Sequence, residues 1–388
     1  MRLSLSKTLT KVAKASSIFK RYITQALPKQ SLQRLSHNTD VYIVIRANAL
    51  LHDNGRYFFV LLKTLSSKFK AVSVNGFSLL HYYKLGKYGR DIFTIDNLKI
   101  DSQLPANKKN KILIYDLPLS KQELDGWSRC IQIQPDISVP KPLDRQWAVM
   151  PYCMHPKMYT FFDRSRIEEL RTSDRTLRLF FAGSGDSKVY SGKKFWQTKG
   201  FDLIPRAEVL GTIKNFFSDA ISYIKNQSEL TSIPKSGLNN KIILADSKQF
   251  YIPQRKWLPL LSNCDFFICP PGIDMPLCHN AIEAMAVGTI PLINYPQWFS
   301  PELEDLKNCI SYKTKTELVE KINLILSMSD FQISEMRKNV INYYQKYLEL
   351  DVFYQQLIDS KHREITLFFN TGEREILRQI TPESIIWG

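Results

Sequence analysis

The 388-residue chain has no apolar run near the roughly 20 residues needed to span a bilayer. Its best run, Tyr57 to Leu62, stops at Lys63, so a spanning helix is not expected. Its six cysteines (Cys130, Cys153, Cys264, Cys269, Cys278, Cys309) include no Cys-x-x-Cys pair, which argues against a zinc site and suits a reducing compartment. Cys264 and Cys269 flank an apolar strand and read as packing residues, and Cys278-His279 is read the same way rather than as thiol or metal chemistry. No Asp-x-Asp occurs anywhere, so the acidic pair that commonly holds a divalent ion is missing. Neither a metal nor a cofactor is expected.

Acids are also missing from residues 1–39, which carry eight bases: Arg2, Lys7, Lys11, Lys14, Lys20, Arg21, Lys29 and Arg34. Leu5, Leu9, Val12, Phe19 and Ile23 share a face at helical spacing, broken at Ser16, which fits an amphipathic helix on an anionic membrane surface. A helix covering the first domain fits equally, and a basic, acid-free, Ser-containing segment also matches an organelle transit peptide. It has no apolar core like that of a secretory signal.

What is present is enough for packed cores: 44% hydrophobic and 12% aromatic residues over a length that suggests two domains. The net charge of +16 favours anionic partners without choosing among them. Nucleic acid is not the expected one, because the basic and aromatic residues are dispersed and no RNA- or DNA-binding motif appears.

Short apolar runs alternate with helical stretches, the pattern of α/β layering around mainly parallel strands. VYIVIRA (41–47), AVSVNG (71–76), KILIYDL (111–117), CIQIQ (130–134) and WAVMPY (147–152) read as strands of the first half. Pro151 and Pro156 mark the crossing to a second half, which repeats the layout: LRLFFAG (177–183), one helix through AEVLGTIKNFFSDAISYI, KIILADS (241–247), a helix at Arg255–Leu261, DFFICP, a helix near His279–Val287, and TIPLIN. Thr314 and Glu317 form a capping box for a further helix, and a long one follows from about Phe331 to Leu348. The expected fold is α/β, with two Rossmann-like domains facing a cleft. The expected divisions are a basic segment 1–38, a first domain 39–155, a second domain 156–350, and a tail 351–388 that lies back on the first.

In open parallel sheets ligands bind beyond the carboxyl ends of the strands. FAGSGDSK has such a place but lacks the third glycine of GxGxxG, and SGKK lacks the P-loop spacing. What remains is either a plain surface turn, or a loop in which Gly183, Ser184 and Gly185 let backbone N–H groups approach a diphosphate while Lys193, Lys199 or Arg206 offsets its charge. In FFICPPGIDMPLCHNAIEAMAVGTIPLI, Pro270, Pro271 and Gly272 stop a strand and the next helix aims its first N–H groups at the same edge. Glu283 lies one turn beyond His279 and Asn280, and a carboxylate there can accept two vicinal hydroxyls. Taken alone, such a Glu would be a solvated helix acid.

FYIPQRKWLPLLSNCDFFICPPG followed by HNAIEAMAVGTIPLI resembles the donor half of GT-B glycosyltransferases, and is most similar to the exostosin-like group; LRLFFAGS fits that group's opening donor strand. The likeness covers roughly residues 177–330. It implies that Glu283 holds hydroxyls of a nucleotide-sugar, that Gly183 and Ser184 border the diphosphate, and that the loop after Ser247, with Tyr251, borders the base. Asn280 departs from an Arg often found there, and Met275 stands where many retaining relatives have the first of two glutamates. The implied activity is metal-independent transfer of a sugar from a nucleotide-sugar to a glycan or lipid-linked glycan acceptor, in surface polysaccharide or lipopolysaccharide synthesis. The basic N-terminal helix would hold the protein at the cytoplasmic face of a membrane. The base for the acceptor hydroxyl is assigned to His52 and Asp53 after the first strand, with Asp116 next, although Asp53-Asn54-Gly55 also reads as a simple turn. The alternatives are a noncatalytic sugar- or nucleotide-binding module of the same fold and a basic nucleic-acid-binding protein.

Overall fold

The computed structural model describes residues 15–29, 39–143, 146–191, 201–226, 228–229, 241–246 and 251–386. Lys193, Lys199 and most of the loop that follows Asp246 lie outside them, as do residues 1–14 with Leu5, Leu9 and Val12. The chain is α/β and divides into two compact units, Met1–Met150 with Tyr354–Ile376, and Pro151–Phe353 with Leu377–Trp387. No helix among the described residues is long and apolar enough to cross a membrane.

The first unit is built on a seven-stranded sheet in the order β3-β2-β1-β4-β5-β13-β6. Its strands are β1 (Val41–Val44), β2 (Val72–Asn75), β3 (Leu98–Asp101), β4 (Ile112–Tyr115), β5 (Arg129–Gln134), β6 (Trp147–Val149) and β13 (Glu364–Phe368). Every pairing is parallel. The sequence near-continuously apolar in β1 and β4 is buried on both faces, as helices covering a parallel sheet require. The order of the first strands, 3-2-1-4-5, is Rossmann-like, and the chain reverses direction across the sheet between β1 and β4. The tail contributes β13, which pairs with β5 on one side and β6 on the other.

The second unit has a six-stranded sheet, β12-β11-β10-β7-β9-β8, also parallel throughout. The strands are β7 (Leu177–Gly183), β8 (Ile221–Ile224), β9 (Ile242–Asp246), β10 (Cys264–Ile268), β11 (Ile290–Ile293) and β12 (Ile310–Ser311). Here the direction reverses between β7 and β10. The expected single helix over AEVLGTIKNFFSDAISYI is corrected: it ends at Phe216, a short turn at Ser218–Ala220 follows, and ISYI becomes edge strand β8. Ser218 and Asp219 are poor helix residues, and the β-branched pair of isoleucines suits the sheet. The Thr314 box closes only by half, since Thr314 Oγ1 accepts from Glu317 N while Glu317 Oε2 accepts from Lys313 N.

In residues 15–29 Ile18 and Ala26 face inward, while Phe19 and Ile23 of the expected stripe point outward, unlike a stripe that covers the first domain. The rotation follows from Tyr22, whose ring meets that of Tyr82 edge-on, and from Gln25 Oε1, which accepts the Tyr82 hydroxyl at 2.7 Å.

One turn in the first unit is strained. After His52, Asp53, Asn54 and Gly55 all have positive φ (44°, 61° and 67°), so the helix His52–Lys68 is regular only from Arg56. Left-handed Asp and Asn cost on the order of 1–2 kcal/mol each, so neighbouring structure must hold them. Glycines do so by close approach: a Cβ on Gly86 would fall 2.2 Å from Asn54 Oδ1, and one on Gly372 would fall 2.6 Å from Asp53 Cβ. Gly372 itself has φ +73°. Gly372→Ala is expected to cost about 2–4 kcal/mol from the left-handed backbone and overpacking together, read from urea unfolding; a loss within experimental error would contradict this packing.

Candidate functional site

At the carboxyl edge of the second sheet, β7 ends at Gly183 and runs into Ser184-Gly185-Asp186. Ser184 Oγ accepts from Asp186 N, and Asp186 caps the short helix Ser187–Tyr190. Tyr190 then lies against Arg206, whose guanidinium carbon sits 3.9 Å from the ring centroid. Arg206 opens the helix Arg206–Phe216, and its Nη2 reaches the Pro271 carbonyl at 3.5 Å. The structure thus brings the Gly183–Gly185 loop, Arg206 and Pro271 together at the point where the strand order reverses.

Arg206 is only 9% exposed, its Nε has no hydrogen-bond partner, and no carboxylate among the described residues pairs with it. A buried unpaired guanidinium is costly, and the first position of a helix adds the unfavourable positive end of the macrodipole. An anion bound there would offset both. Gly272, expected to stop the strand with Pro270 and Pro271, has a packing role in the loop. Its N–H donates to Pro276 O at 3.0 Å, and a Cβ there would stand 2.5 Å from Met275 O, so it closes the loop on itself. The helix His279–Ala286 follows, with no side-chain cap at Cys278.

Glu283 is 2% exposed, so it is not a solvated helix acid. Its Oε1 accepts the His155 backbone N–H at 2.9 Å and its Oε2 accepts Trp257 Nε1 at 2.5 Å. His279 stacks on Tyr152 (5.2 Å between centroids), meets His155 edge-on, and places Nδ1 2.7 Å from Cys153 O. Asn280 is half-buried, and Tyr251 is exposed. Burial, with Cys278 beside it, holds the Cys269 thiol well above its ordinary value. Trp257 was not singled out in the sequence. Its signal is its position in the first turn of Gln254–Ser262, facing the apolar strand β10, where its ring meets Phe267 edge-on.

In the first unit, the strained turn presents His52, whose Nδ1 lies 2.6 Å from Glu373 Oε2. Glu373 follows Gly372, the close-packed glycine, and had no sequence signal. Asp53 turns away into an ion pair with Arg56 at 2.9 Å; burial raises its carboxyl above the usual range, against Arg56 and Arg374. Asp116 is 5% exposed and accepts the N–H groups of Arg46 (2.8 Å) and Ala47 (2.9 Å), so it holds the loop after β1. Burial also raises its carboxyl, against those two bonds.

No family model matches the chain, and no curated protein does. Among solved structures it is similar to HepE of Anabaena in complex with UDP (10% identity, TM-score 0.40, 83% of this chain and 99% of that one). A glycosyltransferase of Rickettsia africae (9%, 0.41, 83% and 98%) and an O-GlcNAc transferase mutant of Thermobaculum terrenum (11%, 0.34, 94% and 74%) are also similar. Such low scores leave the case for function with the chain's own residues.

Two outcomes follow. Trp257→Phe strands a buried acceptor on Glu283 and should cost about 1–3 kcal/mol in urea unfolding; no change would mean that Oε2 is satisfied otherwise. For Asp53 and Asp116 the folded value is raised, so the native state holds more protons between the ordinary and the raised value, and stability declines as pH rises through that window. Asp53→Asn should decline less steeply there than the wild type, and an equal slope would contradict the assignment.

Proposed function

We propose that the chain is a glycosyltransferase that takes a nucleotide-sugar in the second unit, its anionic diphosphate against Arg206. The observation that carries this reading is the buried Arg206 guanidinium at the strand-order reversal, with no carboxylate partner among the described residues, beside a Gly-Ser-Gly loop. Two Rossmann-like units and the GT-B resemblance of residues 177–330 support it. Arg206 and backbone N–H groups of the loop and of the helix at His279 offset the charge that builds on the departing diphosphate, a role consistent with a sequence that lacks Asp-x-Asp. In this reading a sugar hydroxyl that reaches Glu283 Oε2 competes with the Trp257 indole.

For a direct displacement, the acceptor hydroxyl must lose its proton. His52 is the base in this reading: the Glu373 carboxylate at Nδ1 fixes the ring and leaves Nε2 to accept. Asp53, committed to Arg56, supports the turn instead. The acceptor in this reading is a glycan or lipid-linked glycan, in keeping with the resemblance of residues 177–330 to the exostosin-like group. A noncatalytic binding module would keep the Arg206 site and show no turnover.

The test is a thermal-shift and turnover screen against UDP-, GDP-, ADP-, dTDP- and CMP-sugars. One nucleotide class should raise Tm by binding the native state alone. Arg206→Met should abolish that shift while leaving the unliganded Tm unchanged or higher, because an unpaired buried charge is removed. A liganded shift that survives in Arg206→Met would overturn the assignment. His52→Ala should keep the shift and lower kcat by about 10²–10⁴-fold; undiminished turnover would move the base elsewhere.

A further inference from the structure

The outward side of residues 15–29 carries Phe19, Ile23 and Leu27, four residues apart and 52%, 43% and 40% exposed. Beside it, the helix Leu79–Lys84 exposes Leu79, Leu80 and Tyr83 by 40%, 60% and 54%. The two segments are joined through Tyr82, which is fully buried, donates to Gln25 and packs against the Tyr22 ring. Lys29 Nζ anchors the far end of the first segment on the Ile95 carbonyl at 2.7 Å. Large apolar side chains are thus presented together on two helices of the same unit, although Ile18, Ala26 and Tyr82 already satisfy the core beneath them.

Isolated exposed apolar residues need no explanation, but six on adjoining helices do. Their setting is basic. Lys20 and Arg21 lie within the first segment, Lys84 and Lys87 at the end of the second, and residues 1–39 contain no acid. Apolar side chains that enter the headgroup boundary, beside lysines and arginines that meet anionic lipid, are the chemistry of an interfacial helix. Each base near an anionic surface contributes about 1 kcal/mol, and the apolar residues add their burial. A protein partner of matching shape would need acids at its rim; a bilayer supplies both requirements over a flat area.

We infer that Phe19, Ile23 and Leu27, with Leu79, Leu80 and Tyr83, form a docking surface for an anionic lipid bilayer. This surface does not depend on the transferase reading. It keeps Phe19 and Ile23 of the stripe expected from the sequence and adds Leu27 and a second helix.

The experiment is flotation of the full chain, without nucleotide, on vesicles of phosphatidylcholine alone and of phosphatidylcholine mixed with phosphatidylglycerol. Binding is expected to the mixed vesicles only, and to weaken at least about tenfold in Phe19→Ser/Ile23→Ser and in Leu80→Ser/Tyr83→Ser. Lys20→Glu/Arg21→Glu should weaken it similarly, and added salt should do so in part. These are exposed positions, and unchanged Tm in each variant is the check on folding. No binding to mixed vesicles would overturn the inference. Undiminished binding in both apolar variants would overturn it too, assigning the affinity to the general +16 charge. A wild-type dimer in solution that both apolar variants convert to monomer would give the surface to a second copy.

Discussion

Parallel pairing is the constraint on which the rest depends. With every strand in each sheet running the same way, all carboxyl ends in a unit emerge at one edge, and every loop that follows a strand opens there. Sheet hydrogen bonding consumes the backbone up to that edge, while the loops beyond it remain available for side-chain and ligand chemistry. In the second unit this places Gly183, Arg206 and Pro271 together; in the first it places the Arg46-Ala47 loop, the turn after His52 and Asp116 together. Neither grouping requires nearness in sequence.

Buried charge separates the structural residues from the candidate binding residue. Asp265 shares Arg178 and Arg337, at 3.3 and 2.7 Å, and that network ties β7 and β10 to the helix Asp330–Tyr343. Asp116 is matched by two backbone donors and Glu283 by an amide and an indole. Arg206 stands apart: its stacking on Tyr190 and one long contact to Pro271 supply no countercharge. No carboxylate among the described residues reaches its guanidinium, and an anionic group is the chemistry that fits there.

The strands that are apolar on both faces were legible from composition, because continuous runs such as VYIVI, KILIY and DFFI have no other use in an α/β chain. Edge strands β3 and β8 were not. β3 and β8 are short, include polar residues, and in β8 three of four residues are not fully buried, so neither makes such a run. β13 lies in a tail that gave no clear signal and acquires its partners from β5 and β6, more than 200 residues away, where no periodicity could announce it. The site divides the same way. Glu283 and the Pro-Pro-Gly loop stood out through local pattern, whereas the pairing of His52 with Glu373 and of Glu283 with Trp257 and His155 joins distant segments. The neighbours that require Gly272 to lack a Cβ, the Met275 and Leu277 carbonyls, were not legible, because a glycine in a sequence does not say which neighbour excludes a side chain.

The most direct test of the central claim, an anion site at the carboxyl edge of β7 and β10, is hydrogen–deuterium exchange with and without a nucleoside diphosphate, using UDP as the first probe. The account predicts slower exchange in peptides covering 183–190, 204–212 and 269–284, with the β4 and β5 peptides unchanged. Protection confined to the first unit, or none at saturating nucleoside diphosphate, would contradict it.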